Sequence, residues 1–273
     1  MKMKLQGKTI VLTGASSGIG REMTRLFVTR YGANVIGIGR NEEKFKRLKE
    51  ELGEKFDYVL FDVSVRENWL NFAEKLKENG QTIDLLINNA GVFPPFAKLK
   101  DVPSERVEQV FQMNFFSMVY AVETMRPLIK KGGGIVNTCS SSALCTVVGA
   151  GAYSASKAAI KAYTEGLILE ERDKYIGVIY PGTTATELFR ENEQTKNSAF
   201  DYIAMKPQKM AKKMVKKIVK KSKRAVLGWD AKLMNWTAKV CPVKGLALIR
   251  WVMKASKSKV FENVFKDEWC KKN

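Results

Sequence analysis

Tyr153 and Lys157 stand four residues apart in a stretch of helical character, so one helix face presents both, about one turn apart. A free phenol ionises near pH ~10, too high for proton transfer at neutral pH. A neighbouring ammonium favours the phenolate and lowers that value. Such a pair can serve as an acid–base group. The chain contains no histidine. That absence removes Ser-His-Asp and Cys-His catalysis, histidine-ligated metal and histidine proton transfer. The cysteines are Cys139, Cys145, Cys241 and Cys270, and none forms a CxxC pair. Metal-ligand spacing is therefore missing, and no metal site is expected. No disulfide framework is implied, and a reducing, cytoplasmic setting is expected. Cys139 and Cys145 are read as buried, inert thiols.

A second chemical feature lies near the start. Gly14, Ser16, Ser17, Gly18, Ile19 and Gly20 follow a short apolar run and open a helical pattern. Small residues there let the backbone approach a pyrophosphate, and the helix N-terminus offers N–H groups and the positive end of a dipole. The strand–turn–helix context gives this glycine pattern its force. The end of the next strand discriminates between cofactors: an acid holds the ribose 2′-OH of NAD, whereas an Arg accommodates the 2′-phosphate of NADP. Here Gly39 and Arg40 stand at that place and no acid does, which favours NADP(H).

The elements that must position these groups alternate along the chain. Strands are expected at Ile10–Thr13, Asn34–Ile38, Tyr58–Phe61, Ile83–Ile87, Ile135–Thr138 and Ile176–Ile179. Helical patterns fall at Ile19–Arg30, Glu42–Leu52, Glu67–Lys77, Ser104–Lys130 and Ala152–Glu171, the fourth ended by the glycines at 132–134. That alternation means βαβ units and a parallel sheet with right-handed crossovers. The fold expected is α/β, a Rossmann-type doubly wound parallel sheet in a single domain. Residues 1–204 form its catalytic part, with a substrate loop at 183–204. Residues 205–273 form a basic, amphipathic, helical C-terminal extension that completes the fold.

Taken together, the chain resembles the short-chain dehydrogenase/reductase family. The matching pieces are Thr13, Gly14, Gly18, Ile19 and Gly20; Asp62 and Val63; Asn88, Asn89, Ala90 and Gly91; Asn114; Ser140; Tyr153 and Lys157; and Pro181 and Gly182. They occur in the family's order and near its spacing, across about residues 5–190. The resemblance implies that Tyr153 is the general acid in carbonyl reduction and the base in alcohol oxidation. Lys157 would lower the tyrosine pKa and hold the nicotinamide ribose. Ser140 would orient the substrate oxygen, and Asn114 would hold a water in a proton relay behind Lys157. Asp62 and Val63 would contact adenine, and Asn88 to Gly91 would line the cofactor cleft beside Pro181 and Gly182. Thr186 would meet the nicotinamide carboxamide; the alternative for it is a plain helix N-cap before Glu187 and Leu188. The family also implies a homo-oligomer, dimer or tetramer, assembled through its long helices.

Apolar side chains crowd the expected substrate end: Val92, Phe93 and Phe96 after the fourth strand, and Leu188, Phe189, Phe200, Tyr202, Ile203 and Met205 in the following loop. Such walls suit a hydrophobic carbonyl or hydroxyl substrate, steroid- or lipid-like, although core packing would produce the same pattern. The resulting expectation is an NADP(H)-dependent ketone reductase or secondary-alcohol dehydrogenase. The alternative is an NADP(H)-binding sensor or membrane-associated scaffold without turnover.

The formal charge is +19 over 273 residues, and it is uneven. Residues 205–273 carry 20 Lys and Arg against 4 Asp and Glu, while the preceding part carries 27 against 24. Three readings of that tail stand open. Its lysines form the solvated face of a helix packed on the sheet. Or Trp and Met wedge into an anionic membrane with Lys as the electrostatic anchor. Or it binds nucleic acid, which no motif or stacking platform accompanies and which is not expected. No apolar run approaches the ~18 residues of a membrane span, and no signal peptide is expected.

Overall fold

The computed structural model describes residues 2–186 and 204–270. Among these residues, seven parallel strands form one sheet in the order β3-β2-β1-β4-β5-β6-β7. They are β1 Thr9–Thr13, β2 Asn34–Gly39, β3 Phe56–Leu60, β4 Ile83–Asn88, β5 Ile129–Thr138, β6 Tyr175–Pro181 and β7 Arg224–Leu227. The strand order reverses between β1 and β4, which opens a crevice beyond their carboxyl ends. Successive side chains of β1 alternate between two cores: Ile10 and Leu12 enter one, Val11 the other. A strand buried on both faces must be apolar throughout, which is why this segment reads as a continuous hydrophobic run.

One core lies under α1 Gly18–Thr29 and α2 Glu42–Leu52, with Met23, Phe27 and Phe45 at its centre. The opposite core lies under α3 Arg66–Glu78, α5 Ser117–Met125 and α6 Gly151–Glu170, with Trp69, Phe72, Met118 and Ile160. The helix expected over Ser104–Lys130 is divided. It comprises α4 Ser104–Phe111, a π-helical turn Gln112–Phe116, then α5. The helical path ends in a short 3-10 turn, Arg126–Leu128, because Pro127 has no N–H to continue the ladder. β5 then begins at Ile129, earlier than expected. The glycines at 132–134, read from sequence as a break, sit inside it, where the pairing with β4 shifts register. A Cβ on Gly134 would lie 2.6 Å from the Tyr175 carbonyl oxygen, so a bulged strand squeezes through only without side chains.

The basic segment is divided as well. Helix α7, Pro207–Val219, packs Met210, Met214, Val215 and Ile218 into the α1-side core, and β7 extends the sheet beside β6. Helices α8 Trp229–Val240, α9 Pro242–Ala255 and α10 Glu262–Cys270 follow. Arg250 and Lys254 both pair with Glu268, at 2.5 and 2.8 Å, and tie α9 to α10. No described helix is long and apolar enough to cross a membrane.

Candidate active site

A cleft of about 750 Å³ runs along the carboxyl ends of the strands. At one end Gly14, Ser16, Ser17, Gly18 and Ile19 line it. Ser17 precedes α1 in extended conformation and its side chain does not cap the helix, which leaves first-turn N–H groups without that partner. Gly20 stands outside the cleft lining. A Cβ there would lie 2.0 Å from the Gly14 carbonyl oxygen, so this glycine lets α1 close onto its own turn. Thr13 joins the turn to the next wall: its hydroxyl accepts from the N–H groups of Asn89 and Ala90, each at 2.9 Å. Asn89 returns a bond from Nδ2 to the Thr13 carbonyl at 3.2 Å. Asn89, Ala90 and Gly91 line the cleft, while Asn88 turns inward and donates to Asn137 at 2.8 Å.

Arg40, Asn41 and Lys44 form a basic rim at the β2 end, facing Asp62 and Val63. Arg40 donates to Asp62 at 3.3 Å and remains largely exposed. Partial burial opposes the Asp62 charge, but hydrogen bonds from the Ser64 hydroxyl and N–H, with the Arg40 guanidinium, outweigh it and hold the carboxyl below its usual range.

The reactive centre lies where β5 and α6 meet. Ser140 caps a single 3-10 turn, accepting from the Ser142 N–H at 3.2 Å and hydroxyl at 2.9 Å. It is hydrogen-bonded to Tyr153, whose ring packs against Phe93 with centroids 4.6 Å apart. Lys157 is 4% exposed; its Nζ lies 3.4 Å from the Thr138 carbonyl oxygen and 5.6 Å from the Tyr153 ring centroid. Burial brings this ammonium down to about 8. The phenol moves the opposite way from the sequence expectation. Burial raises it above its ordinary value, and the Ser140 hydrogen bond only partly offsets that. Lys157 sits beside the ring rather than at the hydroxyl, so desolvation dominates and the phenol stays protonated. Beneath them Cys139 is buried, donates to the Lys157 carbonyl at 3.0 Å, and has its thiol pushed up to about 11, as expected of an inert thiol.

Asn114 occupies the π-helical turn and is 1% exposed. Its Oδ1 accepts from the Val92 N–H at 2.7 Å, and its Nδ2 donates to the Val92 carbonyl and the Ser156 hydroxyl, both at 3.1 Å. Its side chain is committed to clamping the loop after β4 onto α6; it does not line the cleft. The extra residue of the π turn lets one polar side chain reach both partners.

At the far wall are Pro181, Gly182, Thr183, Thr184 and Thr186, the last packed against Gly18. Asp230 holds this wall, accepting from the Thr183 N–H at 2.6 Å. A Cβ on Gly182 would lie 2.1 Å from that carboxylate. Sequence reasoning missed Asp230, because an acid in the first turn of a helix is what the dipole alone favours. Ser142 adjoins the chosen serine in sequence, and its bonds to Ser140 are not legible from spacing. The apolar end is closed by Phe93, Phe96, Val147, Ile249, Met253 and Phe261, so α9 and the segment before α10 supply much of it. Leu188, Phe189, Phe200, Tyr202 and Ile203, expected there, lie outside the described residues.

The cleft therefore brings together an uncapped glycine turn, a basic rim, a buried phenol with a serine beside it and an apolar end. Its glycines and free helix terminus suit a dinucleotide diphosphate, and the protonated phenol suits donation to a carbonyl oxygen.

Comparisons with known proteins agree with this geometry. The family described as short chain dehydrogenase matches residues 8–197. The 3beta-hydroxysteroid dehydrogenase 2 of Eggerthella lenta is 32% identical over 192 residues, covering 67% of this chain and 74% of that protein. Among solved structures, L-sorbose reductase from Gluconobacter frateurii, complexed with NADPH and L-sorbose, superposes with a TM-score of 0.74 at 23% identity, covering 85% of this chain and 99% of that one. A short chain dehydrogenase/reductase from Burkholderia phymatum, in complex with NAD, superposes with a TM-score of 0.75 at 22% identity, covering 91% and 97%.

Proposed function

The chain belongs to the short chain dehydrogenase family, and we propose that it is an NADP(H)-dependent ketone reductase or secondary-alcohol dehydrogenase acting on a hydrophobic, steroid- or lipid-like substrate. The observation that carries this reading is the buried Tyr153 phenol, kept protonated and hydrogen-bonded to Ser140 inside the cleft, with Lys157 one helical turn away.

In the direction of reduction, Tyr153 donates its proton to the carbonyl oxygen while Ser140 hydrogen-bonds to the same atom. The nicotinamide, when bound, supplies the hydride. The Lys157 ammonium stabilises the phenolate left behind by charge attraction. Ser142 keeps Ser140 oriented, and Asn114 keeps α6 and the loop after β4 in register. The glycine turn with Ser16, Ser17 and Ile19 would hold the diphosphate, Asp62 and Val63 would contact the adenine, and Pro181, Gly182 and Thr186 would meet the nicotinamide end.

The choice of NADP(H) rests on this chain's own residues, since the two solved neighbours carry different cofactors. Arg40 and Lys44 form a basic rim that suits a 2′-phosphate. A Cβ on Gly39 would lie 3.1 Å from the Phe45 ring, which crowds the acid that would hold a free ribose 2′-OH. Replacing Arg40 with Asp is expected to weaken NADPH binding by tenfold or more while sparing NADH, read as two dissociation constants by fluorescence titration. An unchanged ratio removes the assignment. The hydrophobic substrate is supported by the aromatic walls from Phe93, Phe96 and Phe261. A panel of steroids, 3-keto lipids, aryl ketones and sugars, with NADPH consumption as the readout, tests it; turnover of polar sugars alone contradicts it. Self-association as a dimer or tetramer belongs to the same reading, with Phe116 and Leu169 exposed on the long-helix side; a monomeric mass in solution would remove it.

A further inference from the structure

We propose that the hairpin of α8 and α9 docks this protein onto an anionic lipid bilayer, with the mouth of the cleft against the membrane surface. Trp229, Leu233, Trp236 and Val240 are spaced by four, three and four residues along α8, which places them on one helix face. That face is turned to water. Trp229 and Trp236 are 61% and 57% exposed, and Trp251 on α9 is 66% exposed. Val243, Leu246, Leu248 and Val252 are exposed beside them on α9. Little of α8 faces inward; Ala231 and Thr237 are its buried residues. An apolar surface this concentrated, and this rich in Trp, marks a binding site rather than ordinary scatter.

Charge on the same hairpin selects the occupant. Lys232, Lys239 and Lys244 are exposed and have no carboxylate partner among the described residues. The acid of the hairpin, Asp230, is turned inward onto the Thr183 N–H. A second copy meeting this face would set lysine against lysine. An anionic lipid surface instead complements the lysines while the tryptophans occupy the headgroup boundary, the arrangement of an interfacial helix. Trp229, Leu233 and Val252 belong both to the exposed face and to the lining of the cleft, so the apolar surface is continuous with the substrate end. Docking itself is independent of the proposed chemistry; the idea that lipid-soluble substrate enters from the membrane rests on it.

The test uses the full chain, without cofactor or substrate, and two vesicle types: phosphatidylcholine alone, and phosphatidylcholine partly replaced by phosphatidylglycerol. Sedimentation is measured at about 0.01 M and about 1 M salt, where the Debye length falls from roughly 30 Å to roughly 3 Å. Binding to the anionic vesicles at low salt, lost at high salt and absent from phosphatidylcholine, is the expected result. The variant Trp236→Ser with Trp251→Ser should partition at least about tenfold less. The variant Lys232→Gln, Lys239→Gln and Lys244→Gln should lose roughly 100-fold, since each basic residue near such a surface contributes about fivefold. These positions lie outside the cleft lining, so ketone-dependent NADPH consumption in solution, where present, should be retained. Absent binding, equal binding to both lipids, or variants that bind like the parent would overturn the proposal. So would a tryptophan variant that converts a dimer to a monomer without changing vesicle binding, because a second copy would then be the occupant.

Discussion

Helices α7 and α8 come from the same basic segment and have similar apolar periodicity, yet they hide different things. Helix α7 buries Met210, Ala211, Met214, Val215 and Ile218 and leaves its lysines in water. Helix α8 buries Ala231 and Thr237 and leaves its tryptophans in water. Helix α6 supplies the reverse exception, an ammonium without water at Lys157. The ordinary arrangement, α7, serves the fold. The two inversions both border one cleft. Of the readings open for the tail, the solvated lysine face describes α7, while the exposed tryptophans that the proposed membrane wedge would use lie on α8 and α9.

The comparison breaks first at α7. Met214→Lys puts an unpaired charge into the core, and a loss of about 4 kcal/mol or outright failure to fold is expected. Urea denaturation measures it, and a tolerant protein would mean that the apolar face of α7 is not core.

Lys157→Met sharpens the contrast in the other direction. The lysine ionises near 8 in the fold against 10.5 for the free group, so its burial costs about 3 kcal/mol at neutral pH. The variant should lose turnover and yet gain up to about that much stability in denaturant. The pH dependence carries the same sign. Between about 8 and 10.5 the unfolded chain holds the lysine proton and the folded one does not, so Lys157 contributes a rise in stability across that window, which the raised Cys139 thiol opposes above its ordinary value near 9. The variant should lack the rise. Tyr153 acts oppositely only above the ordinary phenol value near pH ~10, where the fold retains a proton the unfolded chain releases. A parent-minus-variant stability difference that is flat from pH 8 to 10 would contradict the buried ammonium.

The smallest effect belongs to α8. Trp236→Gln removes an exposed ring and should alter stability by no more than about 0.5 kcal/mol. A loss of several kcal/mol would show that the face is packed rather than waiting for a surface.

The sequence was legible wherever local chemistry and burial agree. Glu42–Leu52 is found as a helix with the bounds its charge pattern suggests, and the glycine turn sits between β1 and α1 as its spacing requires. Ser140, Tyr153 and Lys157 meet at one point in the cleft because β5 and α6 pack side by side in a doubly wound sheet. Legibility failed where tertiary context decides. The glycines at 132–134 suggest a break, but neighbouring strands hold them in a bulge. The relay role of Asn114 comes from the resemblance alone, and its side-chain bonds to Val92 and Ser156 depend on a π turn that the spacing does not show. The phenol reads as lowered by its lysine, but desolvation outweighs that neighbour. Periodicity shows that α8 has an apolar face and is silent on whether anything covers it.

The central claim is that a buried, protonated Tyr153 delivers the proton to a carbonyl oxygen. Its most direct test compares parent and Tyr153→Phe for the rate of NADPH consumption with a ketone accepted by the parent, and for the NADPH dissociation constant. The account predicts a rate lowered by at least about a hundredfold with NADPH affinity nearly unchanged. A phenylalanine variant that keeps most of the parent's rate would contradict it.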